Sequence, residues 1–156
     1  MYAPHRSILA FILALGGCAT ASAVPTAPRA SAAQEAAVAC DALAAADRDA
    51  PLFEGKLDVA DVRSVVVRRG KQMDHHTLGA EIVALAEPGL TAPYLHRLAR
   101  CQIARYEADL AESATDPLAV RGAEVRVRER GAGFVVRITA ETRSAGRAIA
   151  ERAARL

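Results

Sequence analysis

EVRVRERGAGFVVRITA, residues 124–140, is the stretch on which the fold turns. Val125 and Val127 alternate strictly with Arg126, Arg128 and Arg130. Gly131-Ala132-Gly133 then supplies a turn, and Phe134, Val136, Ile138 and Ala140 alternate on the return. A period of two is that of a half-buried strand, so the segment predicts a hairpin with one apolar face. Arg126, Arg128, Arg130 and Arg137 belong to the other face and point away from the core.

Working outward from this hairpin, a helix is expected from about Thr142 to the end, burying Ala145, Ile149, Ala153 and Leu156. Upstream, Thr91 reads as a cap with Pro93 tolerated in the first turn. The face of that helix is Leu95, Leu98, Ala99, Gln102, Ile103, Tyr106 and Leu110. Residues 62–68 are rich in β-branched side chains and residues 78–85 are apolar. The polar stretch 70–76 joins them, which predicts a second hairpin with a long loop. From Gln34 the residues Ala36, Ala39, Cys40, Leu43 and Ala46 recur at helical steps until Pro51. The sum is an α+β domain over residues 34–156, with an N-terminal helix followed by ββαββα. A four-stranded antiparallel sheet with its helices on one face is a standard two-layer solution. This order is topologically a circular permutation of the ferredoxin-like sandwich, a fold that implies no particular activity.

At the start, His5 and Arg6 precede an apolar run, Ser7 to Leu15, and the small pair Gly16-Gly17. This is the layout of a secretory signal over residues 1–17. The run is well short of the roughly 20 residues that span a bilayer. Leu15-Gly16-Gly17-Cys18 resembles the lipobox of bacterial lipoproteins, whose cysteine thiol takes a diacylglyceryl group before cleavage leaves it as residue one. The resemblance implies an exported chain held to the membrane through lipid on Cys18. Each buried acyl CH₂ contributes about 0.8 kcal/mol, so several chains hold a small domain durably. Ala19, where an aspartate would resemble an inner-membrane retention signal, implies the periplasmic side of the outer membrane where two membranes exist. Residues 18–33 are small and polar with Pro25 and Pro28. They read as a tether, and the fifteen residues after Cys18 reach roughly 45 Å at about 3.1 Å per residue.

The whole chain carries 20 basic and 18 acidic residues. That balance demands neither nucleic acid nor an anionic surface. Its distribution is more informative. Residues 31–61 hold seven acidic and two basic residues, whereas 121–156 hold nine basic and four acidic. One reading packs the first helix near the arginine-bearing strands. The other makes Arg126, Arg128, Arg130 and Arg137 a surface for an anionic envelope component or an acidic protein, because guanidinium groups pair well with phosphate and carboxylate. Export, the absence of Trp and the scarcity of aromatics speak against nucleic acid.

With Cys18 lipidated, Cys40 and Cys101 remain. They are open to three readings: a disulfide in an oxidising compartment, two buried thiols, or a redox or metal role. Met73-Asp74-His75-His76 offers ligands for copper or zinc, which makes metal handling the alternative function, with Asp74, His75 and His76 as the set. Against it, adjacent histidines in an extended strand point to opposite sides. A solvated hairpin loop explains the same residues. Nucleophile elbows, phosphate loops and HExxH are absent from the sequence, and Asp109 and Glu112 read as solvent-facing helix residues. Residues 89–101, Gly133-Phe-Val-Val-Arg-Ile138 and residues 145–156 together resemble uncharacterised small bacterial envelope proteins. There a Cys-His stands where this chain has Cys101-Gln102, and a Cys-Pro-Leu where it has Asp116-Pro117-Leu118. The resemblance implies a fold without an activity, and the departures remove two potential ligands. The expectation is a non-enzymatic lipoprotein domain that needs no cofactor.

Overall fold

The computed structural model describes residues 31–69, 74–109, 111 and 113–156. The leader, Cys18, residues 19–30 of the tether, Met73, Leu110 and Glu112 lie outside them. Along the chain come α1 (Ala32–Cys40), α2 (Ala45–Asp49), β1 (Leu57–Arg69), β2 (Asp74–Ala86), α3 (Ala92–Glu107), a 3-10 turn at Pro117–Ala119, β3 (Glu124–Arg130), β4 (Gly133–Thr139) and α4 (Arg143–Ala153). The four strands form one antiparallel sheet in the order β1-β2-β4-β3. The domain is therefore α+β, with its helices packed over one face of the sheet.

The alternation of β3 and β4 explains that face. Val125 opposes Ile138, and Val127 opposes Val136. Ala80, Ile82 and Ala84 of β2 stand beside Ile138, Val136 and Phe134. Leu95, Leu98 and Ala99 of α3 and Ile149 and Ala153 of α4 close over them in one buried cluster. α3 lies on β3 and α4 on β2. Small residues set the second contact: a Cβ at Gly146 would run into the backbone of Thr77 and Leu78, so α4 approaches β2 this closely only with glycine there.

Hydroxyl caps start α1, α3 and α4. Ser31 Oγ accepts from the Gln34 amide, Thr91 Oγ1 from Tyr94 and Thr142 Oγ1 from Ala145. The Ser31 cap starts α1 two residues before the expected Gln34. The single first helix expected up to Pro51 is instead two, α1 and α2. At the break Arg48 reaches back to the carbonyls of Leu43, Nε–O 3.0 Å, and Asp41, and the end of α2 is tied to α3, whose Gln102 and Arg105 donate to Ala50 O and Arg48 O. Cys40 and Cys101 meet at disulfide-bonding distance, Cα–Cα 4.8 Å, and tie α1 to α3 across 61 positions. A loop of that length contributes about 4 kcal/mol in the chain-entropy model.

Two further expectations need correction. The first hairpin is longer than its apolar runs: β1 and β2 each have 13 residues, so His75 and His76 belong to β2 and not to a connecting loop. Backbone pairing of Arg68 with His75 and of Val67 with His76 extends the ladder past the end of β4. Leu156, expected in the core, is exposed beyond the end of α4. Among the described residues, no helix is long and apolar enough to cross a membrane.

Candidate functional site: the open sheet face

The face of the sheet turned away from the helices is ordered in rows by strand register. One row reads Arg126, Arg137, Glu81 and Arg63 from β3 through β4 and β2 to β1. The next reads Arg128, Val135, Val83 and Asp61, and the one after it Arg130, Gly133, Leu85 and Asp58. Arg126, Arg128, Arg130 and Arg137 are all exposed, and the structure brings these four predicted residues onto one surface.

Their partners differ. Arg128 reaches diagonally over Val135 to Glu81, Nη2–Oε1 3.5 Å. Its aliphatic stem shields the valine, which is why Val135 is 0% exposed although it lies outside the helix-facing core. Arg63 Nε donates to Asp61 Oδ2 at 2.6 Å on its own strand. Arg126 and Arg137 are opposed directly across the β3–β4 ladder, and neither has a hydrogen-bond or ion-pair partner among the described residues. Like charges at opposed sheet positions are destabilising. A shallow trough of about 520 Å³ runs between these side chains, floored by Leu78 and Val135 and edged by Glu81.

The acidic segment meets this surface through Asp58 and Asp61 at its β1 edge and not beside Arg126 and Arg137. Asp47 pairs with Lys56 at 2.7 Å and Asp49 with Arg105 at 2.7 Å, both in the helical layer. The hydrogen bond from Lys56 holds the Asp47 carboxyl below its usual pKa, and the same contact raises that of Lys56. Of the two readings of the charge split, the first is met in position, since Gln34, Glu35, Val38 and Ala39 of α1 share a cleft with Ala123 and Val125 at the start of β3, while α1 sits on α3 and the arginines project from the far side of the sheet.

The histidines are placed differently. As adjacent residues of β2, His75 and His76 project to opposite sides of the strand. The Arg143 guanidinium lies at 3.1 Å and 2.9 Å from the two ring nitrogens of His76. Asp74 opens β2, paired in the ladder with Arg69. Among the described residues, no three His, Cys, Asp or Glu side chains gather as a metal site would require.

A second polar cluster, not singled out in the sequence, joins α3 to β3. The Asp116 carboxylate accepts from the Leu118 amide at 2.8 Å and from the Tyr106 hydroxyl at 2.9 Å. Arg152 Nη1 donates to the carbonyls of Ser113, Asp116 and Ala119. Burial raises the pKa of Asp116 against the lowering effect of these hydrogen bonds, and burial also raises that of Tyr106. Raised carboxyl pKa values occur in active sites, but here both carboxylate oxygens are used in capping a turn and holding a tyrosine. Asp116-Pro117 is the sequence signal for that cap. No family model, curated protein or solved structure matches this chain.

Proposed function

We propose that the protein is a membrane-anchored lipoprotein, lipidated on Cys18, whose domain is a non-enzymatic binding module. Its working surface is the open sheet face, and its partner is an anionic component of the envelope. The observation that supports this is the opposition of Arg126 and Arg137 on an uncovered face. A cross-strand pair of guanidinium groups without internal partners costs stability, and an incoming phosphate or carboxylate relieves that cost while receiving paired donors. Arg128 and Arg130 extend the positive field along β3.

Capture by vesicles containing an anionic lipid, measured by cosedimentation of the purified chain, tests the surface. The variant carrying Arg126→Ser with Arg137→Ser is expected to lose most of the capture while keeping its thermal stability. Capture by the unmodified chain is expected to fall as salt rises, since exposed charges are screened within about 8 Å at physiological ionic strength. Equal capture by variant and unmodified chain overturns the reading. For the anchor, Cys18→Ala is expected to move native protein from the membrane pellet to the soluble fraction.

A further inference from the structure

The open face has two halves of opposite sign. Across the rows that span all four strands, the described residues of β3 and β4 present Arg126, Arg128, Arg130 and Arg137 against Glu124, and those of β1 and β2 present Asp58, Asp61 and Glu81 against Arg63. Between them, at the β2–β4 seam, run Leu78, Val83, Val135 and Leu85, the last 49% exposed.

We infer that this face pairs with the same face of a second copy of the chain. The inference rests on the reading of the open sheet face as the working surface, and it names the acidic half of another copy as an anion that the arginines take. Two sheets can pack face to face, about 10 Å apart and aligned within about 30°. The charges select the symmetry. A two-fold axis across the strands lays arginine on arginine. A two-fold axis parallel to the strands, along the β2–β4 seam, lays each positive half on the other's negative half.

In that arrangement each row meets itself in reverse. Arg137 faces the partner's Glu81, Arg128 faces the partner's Asp61, and Arg130 faces the partner's Asp58. Val83 stands opposite the partner's Val135 at the axis, and the exposed Leu85, whose side chain lies over Gly133 of its own chain, meets the partner's Leu85 in the same position. Every charge contact occurs twice, as an isologous interface requires. Only Arg126 meets a like charge, the partner's Arg63, which Asp61 of its own strand already holds. With the outer row of Glu124, Thr139, Gly79 and Val65 added, four strands by four rows cover roughly 500 Å² on each copy, at the small end of specific interfaces, so the dimer is concentration-dependent. Its charged rim makes it salt-sensitive.

Sedimentation velocity on the purified full chain, over a concentration series at low and high salt, tests this. The unmodified chain is expected to shift from monomer to dimer with concentration, and the shift to weaken in high salt. Arg137→Glu alone and Glu81→Arg alone each set like charges across the axis. Each is expected to weaken dimerisation about tenfold or more. Mixed one to one, the two variants complement each other at both copies of the contact, and dimer is expected to return as a heterodimer. Arg137→Gln, a milder change, serves if the charge reversal unfolds the chain; it is expected to weaken the dimer less than Arg137→Glu.

A chain that stays monomeric at every concentration in low salt overturns the inference, as does a mixture of variants that stays monomeric. Vesicle capture measured on the same samples separates the two readings. A monomeric chain that still captures anionic vesicles through Arg126 and Arg137 loses only the dimer, whereas a monomeric chain without capture loses both.

Discussion

The two hairpins of this domain solve the same problem by different means. β3 and β4 are seven residues each, joined by a two-residue turn with Gly131 at φ +59°, and their register runs unbroken from Glu124–Thr139 to Arg130–Gly133. β1 and β2 are 13 residues each, and the register slips at Ala60 on β1 and at Leu78 on β2. Each slip is a bulge that moves the following side chains to the other face. The slips are compensating, so the ladder returns to its first register and continues as an arm past the end of β4. The regular hairpin carries α3, through β3, and the bulged one carries α4, through β2. The lesson is that the same antiparallel ladder is tuned by where single residues are inserted.

The strongest test of that contrast is at the glycines. A Cβ at Gly79, beside the Leu78 bulge, would overlap the Ile138 carbonyl oxygen of β4. Gly79→Val is expected to cost about 4 kcal/mol or more, or to prevent folding, because the seam between the hairpins must open. At Gly131 there is open space, and only the left-handed φ resists a side chain. Gly131→Ala is expected to cost about 1 kcal/mol. Urea denaturation of both variants decides it, and equal losses would break the contrast.

Next in size is the covalent tie on the β3–β4 side. Replacing Cys40 and Cys101 together by Ala is expected to lower stability by about 2–5 kcal/mol. Amide exchange should accelerate in α1 and α3 and at the β3 edge they cover, while β2 and α4 keep their protection. Loss spread evenly over both hairpins would show that the bridge supports the whole sheet and not one side.

Legibility in the sequence followed the same division. The alternation over residues 124–140 revealed the β3–β4 hairpin and its arginine face because no bulge interrupts it. In β1 the inward side chains are Leu57 and Val59 before the bulge and Val62 and Ser64 after it. A period-two reading therefore loses phase at Ala60 and recovers only the valine run. The polar His75 and His76 look like loop because burial does not require the arm to be apolar. The α1–α2 break was hidden because residues 41–44 contain no helix breaker; Arg48 supplies the carbonyl partners there, and Gln102 and Arg105 of α3, fifty or more residues away, hold the end of α2. The four arginines were visible from the strand period, but the charge split of the open face was not. It depends on strand order, which puts β1 beside β2 and β3 at the opposite edge.

The segments leading into the two hairpins should respond to pH with opposite sign. Asp47, held below its usual pKa by Lys56, precedes β1; its contribution is present above the ordinary carboxylate pKa and is lost as pH falls through the lower folded value. Asp116, raised by burial, precedes β3. Its folded form binds protons more tightly than the unfolded chain, so its contribution is fully present below the ordinary pKa of 3.8 and is lost as pH rises through the higher folded value. Asp116→Asn is expected to remove that decline on the rising side, and Asp47→Asn to remove the loss on the acid side. Urea midpoints measured across the acid range check both, and an unchanged profile for Asp116→Asn would show that its proton affinity is the same folded and unfolded.

The smallest expected effects lie within one row of the open face, where the hairpins again differ. Across β3–β4 the row sets Arg126 against Arg137; across β1–β2 it sets Arg63 against Glu81. All four positions are on one surface, and a change of Arg to Gln keeps length and polarity while removing charge. Arg126→Gln relieves a repulsion at an edge strand whose only neighbour in the row is Arg137. It is expected to raise stability by a few tenths of a kcal/mol at low salt. Arg63→Gln removes an attraction to Glu81 and the pair with Asp61, and is expected to lower stability by a similar amount. Both effects should shrink toward zero in high salt, since screening acts on the charge and not on the packing. If Arg126→Gln destabilises as Arg63→Gln does, and salt leaves the loss unchanged, the Arg126 side chain is held by packing rather than poised against its neighbour. The free energy available to an incoming anion at that pair would then be absent.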